Sequence, residues 1–131
     1  MHPFRAAVEA KDVDAISRLF TDDIVFRSPI AHKPYEGREM VAVILRAVMQ
    51  VFEDLTYERE IGDETANDHA LVFNARIGEL QIQGCDFLHT REDGLIDEFT
   101  VMLRPLKATM AFAEKMSVKF AEAVNASTSQ S

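Results

Sequence analysis

A run of alternating segments between residues 55 and 104 constrains the fold of this chain more than any other feature. The segments LTYEREI, HALVFNARI, ELQIQGCDFLHT and LIDEFTVMLR each alternate apolar and polar residues, which is typical of half-buried strands. Turn residues separate them at 62–68, at Gly78 and at 92–94. Because short turns connect neighbouring antiparallel strands, we expect these segments to form one antiparallel sheet.

Helical patterns flank this run of strands. Apolar residues recur at helical spacing over 4–20, with Asp12 as an N-cap that divides the segment into two short helices or one kinked helix. An amphipathic pattern over 37–52 predicts a longer helix, and Pro105 suits the first turn of a last one. A short strand, IVFRS, and an irregular loop, PIAHKPYEG, lie between the helical segments. Helices segregated on one face of an antiparallel sheet indicate an α+β fold.

Length and charge limit the domain organisation and the classes of partner. The chain has 131 residues and a net charge of -8, so we expect one domain over residues 1–124 and a disordered polar tail over 125–131. The acidic balance argues against nucleic-acid and membrane partners. The longest apolar stretch, Met40–Leu45, is too short to cross a bilayer. A single cysteine, Cys85, excludes an intrachain disulfide and agrees with a cytoplasmic location.

Four segments carry a resemblance to a known family. In chain order they are AKDVDAISRLFTDDIVFRSP, YEGRE, GCDFLHTREDGLIDEF and VMLRPL. Together they resemble the SnoaL-like branch of the nuclear transport factor 2-like superfamily, which includes ketosteroid isomerases, polyketide cyclases and limonene epoxide hydrolases. The resemblance covers most of the chain from Phe4 to Leu106. It implies a cone, in which a curved sheet wraps around the helices and encloses an apolar pocket, and a homodimer that pairs through the outer sheet face.

The resemblance also assigns candidate catalytic positions. In ketosteroid isomerases a carboxylate base shuttles a proton, while a tyrosine and a protonated aspartic acid donate hydrogen bonds to the oxyanion. The base position falls on Ser28, whose hydroxyl lacks the basicity that this role needs. The tyrosine position falls on Phe4, and two supporting tyrosines fall on Phe20 and Leu45, whereas the aspartic acid is retained as Asp86. We therefore expect a protein that is not a standard ketosteroid isomerase.

Asp86 also emerges from the strand pattern alone. Alternation places it on one face with Ile82, Gly84 and Leu88. A carboxyl group on an apolar concave face would be desolvated, which raises its pKa. Our hypothesis is that Asp86 is partly protonated at neutral pH and acts as an acid or hydrogen-bond donor. The alternative is a structural aspartate that is bonded to the backbone or paired with an arginine.

Two further residues are candidates for catalysis, and six for substrate binding. Ser28 either contacts a ligand or caps the turn before Pro29, and His32 is either an acid–base group at the pocket mouth or an exposed loop histidine. The predicted substrate-binding residues are apolar and otherwise fill the core: Phe4, Phe20, Phe26, Leu45, Phe73 and Leu103. A limonene epoxide hydrolase would need an Asp–Arg–Asp cluster. Asp86 matches one carboxylate of it and Arg76 lies in the neighbouring strand, but the sequence places no second carboxylate, which argues against this activity.

Two functions follow from this pattern. The first is a cofactor-independent isomerase, cyclase or dehydratase that acts on a small hydrophobic molecule. The second is a non-catalytic ligand-binding or dimerisation module on the same scaffold. We expect no metal, because no two histidines lie three or four residues apart on a predicted helix and no carboxylate pairing completes a metal shell. Asp97 and Glu98, as strand neighbours, should point to opposite faces, which makes them poor candidates for a paired-carboxylate site. Phe87 and Met102 on the predicted outer face favour a homodimer.

Overall fold

The computed structural model describes residues 1–129, with side chains described for residues 1–122. The helices are α1 (Pro3–Glu9), α2 (Val13–Arg18), α3 (Arg38–Val51) and α4 (Leu106–Ser129). The strands are β1 (Phe20–Arg27), β2 (Tyr35–Glu36), β3 (Glu53–Ile61), β4 (Asp68–Ile77), β5 (Leu80–Thr90) and β6 (Ile96–Arg104). The predicted α+β fold is confirmed. The predicted order of helices and strands agrees with the structure except for β2, a two-residue strand within the segment predicted to be an irregular loop.

The strands form one curved, unclosed sheet in the order β2-β1-β6-β5-β4-β3. The four consecutive strands β3 to β6 pair antiparallel, as predicted. By contrast, β1 pairs parallel with β6. β1 and β6 are able to pair in parallel because a long stretch of chain, which contains β2, α3 and the strands β3 to β5, connects them. This connection is long enough for β6 to run beside β1 in the same direction.

The core lies between the concave face of the sheet and the helices. Phe4 of α1 meets Phe99 of β6 edge to face, with 5.1 Å between ring centroids. The amphipathic helix α3 buries Val41, Ile44 and Leu45. The last helix, α4, closes the open side of the concave face, where the Phe112 ring stacks on Phe52 at 4.9 Å between centroids.

A β-bulge near the start of β6 changes the side-chain alternation predicted for this strand. Thr90 pairs with Ile96 and His89 pairs with Glu98, so Asp97 is the extra residue. Ile96 and Phe99 are both buried, whereas Asp97 and Glu98 between them both lie outside the core. The prediction that Asp97 and Glu98 point to opposite faces is therefore wrong, because it assumed a regular strand.

The last helix continues beyond the predicted domain end. Its backbone is helical over residues 125–129, where the sequence predicts a disordered tail, and residues 130–131 lie outside the described part of the chain. Good helix formers such as Lys119, Ala121 and Glu122 lead into this segment and favour continuation of the helix. Among the described residues, no helix is both long enough and apolar enough to cross a membrane.

Candidate functional site: a buried Tyr–Asp pair in an apolar cavity

Asp86 lies in the middle of β5, on the concave face of the sheet. Its neighbours across the sheet are Leu71 of β4 and Val101 of β6. The residue is only 5% exposed, and Ile82 and Leu88 on the same face of β5 are also buried. The strand pattern therefore placed this carboxyl group correctly among apolar side chains.

Tyr57 of β3 is the polar partner of Asp86. Its hydroxyl donates a hydrogen bond to Oδ2 of Asp86 at 3.0 Å, although β4 separates the two strands. The Tyr57 ring is 8% exposed. The rings of Tyr57 and Phe73 pack edge to face, with 5.9 Å between their centroids. The guanidinium carbon of Arg5 lies over the Tyr57 ring, 5.7 Å from its centroid. These contacts hold the hydroxyl towards Asp86.

Burial sets the protonation of this pair. Desolvation raises the pKa of Asp86 to about 7, against the opposing effect of the hydrogen bond from Tyr57. Burial has the largest effect on the pKa of Tyr57 and raises it, and the negative charge of Asp86 raises it further. Tyr57 therefore keeps its proton. Tyr57 donates its only proton to Oδ2, so Oδ1 of Asp86 takes no part in this hydrogen bond. Near neutral pH the carboxyl group is therefore able either to donate or to accept a proton.

The pair borders an apolar cavity of about 70 Å³ beneath α1, α3 and α4. Among the described lining residues, the polar side chains are Ser28, Tyr57 and Asp86. For comparison, an engineered apolar cavity of about 150 Å³ binds benzene. The cavity beside Asp86 has roughly half that volume. A ring-sized ligand would enter only with small shifts of the lining side chains.

The structure brings four of the six predicted substrate-binding residues to the cavity: Phe4, Phe26, Leu45 and Phe73. Phe20 does not line it, because its 0% exposed ring is enclosed in the aromatic core between Phe4 and Phe99. Leu103 does not line it either. Its side chain packs over Gly84, where a Cβ atom would lie 2.8 Å from Leu103 Cδ2.

The remaining predicted site residues have different positions. Ser28 lines the cavity, but its Oγ accepts hydrogen bonds from the backbone N–H groups of Ile30 at 3.2 Å and Ala31 at 3.0 Å. Ser28 thus caps the turn, which was the structural alternative. His32 is exposed in the loop and does not line the cavity. Arg76 forms ion pairs with Asp54 and Glu53 instead of approaching Asp86.

Sequence reasoning missed Tyr57. The signal was present, because Tyr57 shares strand parity with Leu55, and Leu55 also lines the cavity. The family resemblance instead assigned the tyrosine positions to Phe4, Phe20 and Leu45. A bulge after Tyr57 ends the simple alternation and leaves Ile61 exposed, which weakens the pattern.

Comparisons with known proteins give a family and close structural relatives. Residues 2–99 match the SnoaL-like domain family. A steroid delta-isomerase from Pseudomonas aeruginosa is similar, with a TM-score of 0.87 and 37% identity over 93% of this chain and 89% of that chain. An uncharacterised protein with a cystatin-like fold from Silicibacter pomeroyi DSS-3 has a TM-score of 0.84 and 35% identity over 91% of this chain and 86% of that one.

More distant matches share only the fold. One is an NTF2-like protein of unknown function from Cytophaga hutchinsonii, with a TM-score of 0.61 and 17% identity over 79% of this chain and 85% of that chain. The comparison with curated proteins gives no match. The predicted family resemblance and the predicted cone fold are confirmed.

Proposed function

Because the chain belongs to the SnoaL-like domain family, we propose that its cone pocket binds a small hydrophobic molecule carrying one carbonyl or hydroxyl group, and that Asp86 donates a proton to that group. The observation that carries this proposal is a buried carboxyl group on the wall of an apolar cavity, with a pKa raised to about 7 by burial. A proton donor in a dry site interacts strongly with a ligand oxygen, because little water competes for it.

The arrangement supports acid chemistry better than ketosteroid isomerisation. Asp86 is the one carboxylate among the described residues that line the cavity. The base position holds Ser28, whose hydroxyl is occupied by the turn, and the helical tyrosine position holds Phe4. The reaction that we propose is therefore a cofactor-independent isomerisation, cyclisation or dehydration that begins with protonation of an oxygen atom.

The cavity volume limits the size of the ligand that the protein is able to bind. A single-ring ketone is the size that small side-chain shifts would admit, by comparison with benzene in the engineered cavity of about 150 Å³. A steroid would require Phe112 and Met116 of α4 to leave the cavity wall. Cyclohexanone is therefore the first probe, and a steroid ketone is the size control.

The test is a titration of cyclohexanone into the protein, followed by NMR. We expect chemical-shift changes at residues around the cavity, and binding that weakens by at least tenfold in Asp86→Asn, which cannot donate from a carboxyl group. Cys85→Ala is the matched control, since Cys85 is the next residue on β5 and its side chain points to the opposite face. Equal binding by wild type and Asp86→Asn would refute the role of Asp86.

A second experiment separates catalysis from binding. The α-hydrogens of cyclohexanone exchange with deuterium in D₂O through the enol, which forms when Asp86 protonates the carbonyl oxygen and a water molecule removes an α-proton. NMR follows this exchange. Acceleration by the wild type and not by Asp86→Asn would support an enzyme. Binding without acceleration would favour the non-catalytic ligand-binding module, which remains the alternative function.

We further propose a homodimer that pairs through the outer face of the sheet. Phe87 is 42% exposed and Met102 is 58% exposed on neighbouring strands of this face, and burying such side chains favours association. Light scattering should give a dimer mass for the wild type and a monomer mass for Phe87→Lys. Val118→Lys on α4 is the control, because Val118 is a comparably exposed apolar residue, at 55%, outside the sheet. A monomeric wild type would contradict the proposal.

A further inference from the structure

The bulge in β6 assembles a cluster of potential metal ligands that regular strand geometry would separate. Asp97 is the extra residue of the bulge, so its side chain and that of its neighbour Glu98 both lie near His89 of β5. Nδ1 of His89 lies 2.7 Å from Oδ1 of Asp97. One ligand atom from each of the three side chains lies within 4.8 Å of the other two.

We propose that His89, Asp97 and Glu98 bind a divalent transition metal of the zinc type. This site lies outside the cone pocket and does not depend on the function proposed for Asp86. One imidazole nitrogen and two carboxylate oxygens suit Zn²⁺, whereas Mg²⁺ and Ca²⁺ prefer sites made of oxygen alone. A water molecule would complete a four-coordinate shell, as in open zinc sites.

The geometry requires only side-chain movement. Ligand atoms of a tetrahedral zinc site lie about 3.3 Å apart, given metal–ligand distances of about 2.0–2.2 Å. The His89–Asp97 contact would open slightly to admit the metal, which takes the place of the proton between Nδ1 and Oδ1. The more distant ligand atoms would approach by about 1–1.5 Å, within the reach of a side-chain rotation. The backbone bulge already sets the positions of all three residues.

The residues around the cluster include an arginine that competes with a metal for Glu98 and an aspartate that adds negative charge beside His89. Arg27 of β1 holds Glu98 in an ion pair at 3.1 Å, and both side chains are about half exposed. Such an exposed pair is weak and is readily exchanged for a metal. Asp68 of β4 is the cross-strand neighbour of His89 and adds negative charge beside the cluster. Removing Arg27 should therefore strengthen metal binding.

The experiment is calorimetric titration of the protein with Zn²⁺, with Mg²⁺ as the selectivity control. We expect one Zn²⁺ per chain, and an affinity that falls at least tenfold in His89→Ala and in Asp97→Ala. Arg27→Gln should bind more tightly than the wild type. His32→Ala is the matched control, because it removes an exposed histidine from a loop outside the cluster. Circular dichroism melts establish that each variant is folded.

Ring-nitrogen NMR of the four histidines gives a second measurement that does not depend on the variants. On addition of Zn²⁺, the His89 resonances should shift first and the His32 resonances should not. The absence of Zn²⁺ binding, binding that His89→Ala leaves unchanged, or a first shift at another histidine would each overturn the proposal.

Discussion

Substituting Asp86 should change how the stability of the protein depends on pH. The ordinary pKa of this carboxyl group is 3.8, and burial raises it to about 7 in the folded protein. A raised pKa means that the folded state favours the protonated form. The stabilisation is therefore fully present below about pH 4 and is lost as the pH rises through about 7. Asp86→Asn removes this titration, while its amide oxygen is still able to accept the hydrogen bond from Tyr57.

The magnitude follows from the size of the shift. About three pKa units correspond to about 4 kcal/mol, at 1.36 kcal/mol per unit. Between about pH 5 and pH 8, the wild type should lose about 2.5 kcal/mol of unfolding free energy relative to Asp86→Asn. Urea denaturation of both proteins at several pH values measures this difference, and other titrating groups cancel in the comparison. A difference that stays constant over this range would refute the raised pKa.

Three other changes have defined outcomes. Tyr57→Phe removes the hydrogen bond that favours the carboxylate, so the NMR-measured pKa of Asp86 should rise further; an unchanged or lower pKa would contradict the pairing. Gly84→Ala should destabilise the fold by about 1–3 kcal/mol in urea denaturation, because the added Cβ would overlap the Phe73 ring, whereas a neutral effect would mean that the ring moves freely. Phe112→Ala should cost about 3–5 kcal/mol and admit larger ketones in binding assays, and unchanged ligand size selectivity would argue against Phe112 as part of the cavity wall.

The sequence predicts the fold well because its signals are local and consistent. The segments around Gly62, Gly78 and Gly94 combine strand alternation with turn residues, and the structure turns the chain at each of them. Asp86 was placed correctly for the same reason, since β5 is regular on both sides of it. The parallel pairing of β1 with β6 lacked a local signal, because it depends on how distant elements pack.

The site was less predictable because two of its features depend on irregular strands and on contacts across strands. The Tyr57–Asp86 hydrogen bond spans β4, so neither residue's own segment predicts it. The cluster of His89 with Asp97 depends on a bulge that alternation cannot reveal. Phe20 belongs to the aromatic core and not to the cavity, a distinction that hydrophobicity alone does not make.

The most direct test of the central claim is an NMR titration of the Asp86 side-chain carboxyl carbon, with and without cyclohexanone. The account predicts a midpoint near pH 7 in the free protein. It also predicts a higher midpoint with the ketone bound, because only the protonated carboxyl group donates to the ketone oxygen. A midpoint near the ordinary value of 3.8, or one that the ketone leaves unchanged, would contradict the claim that Asp86 is the proton donor of a ligand-binding pocket.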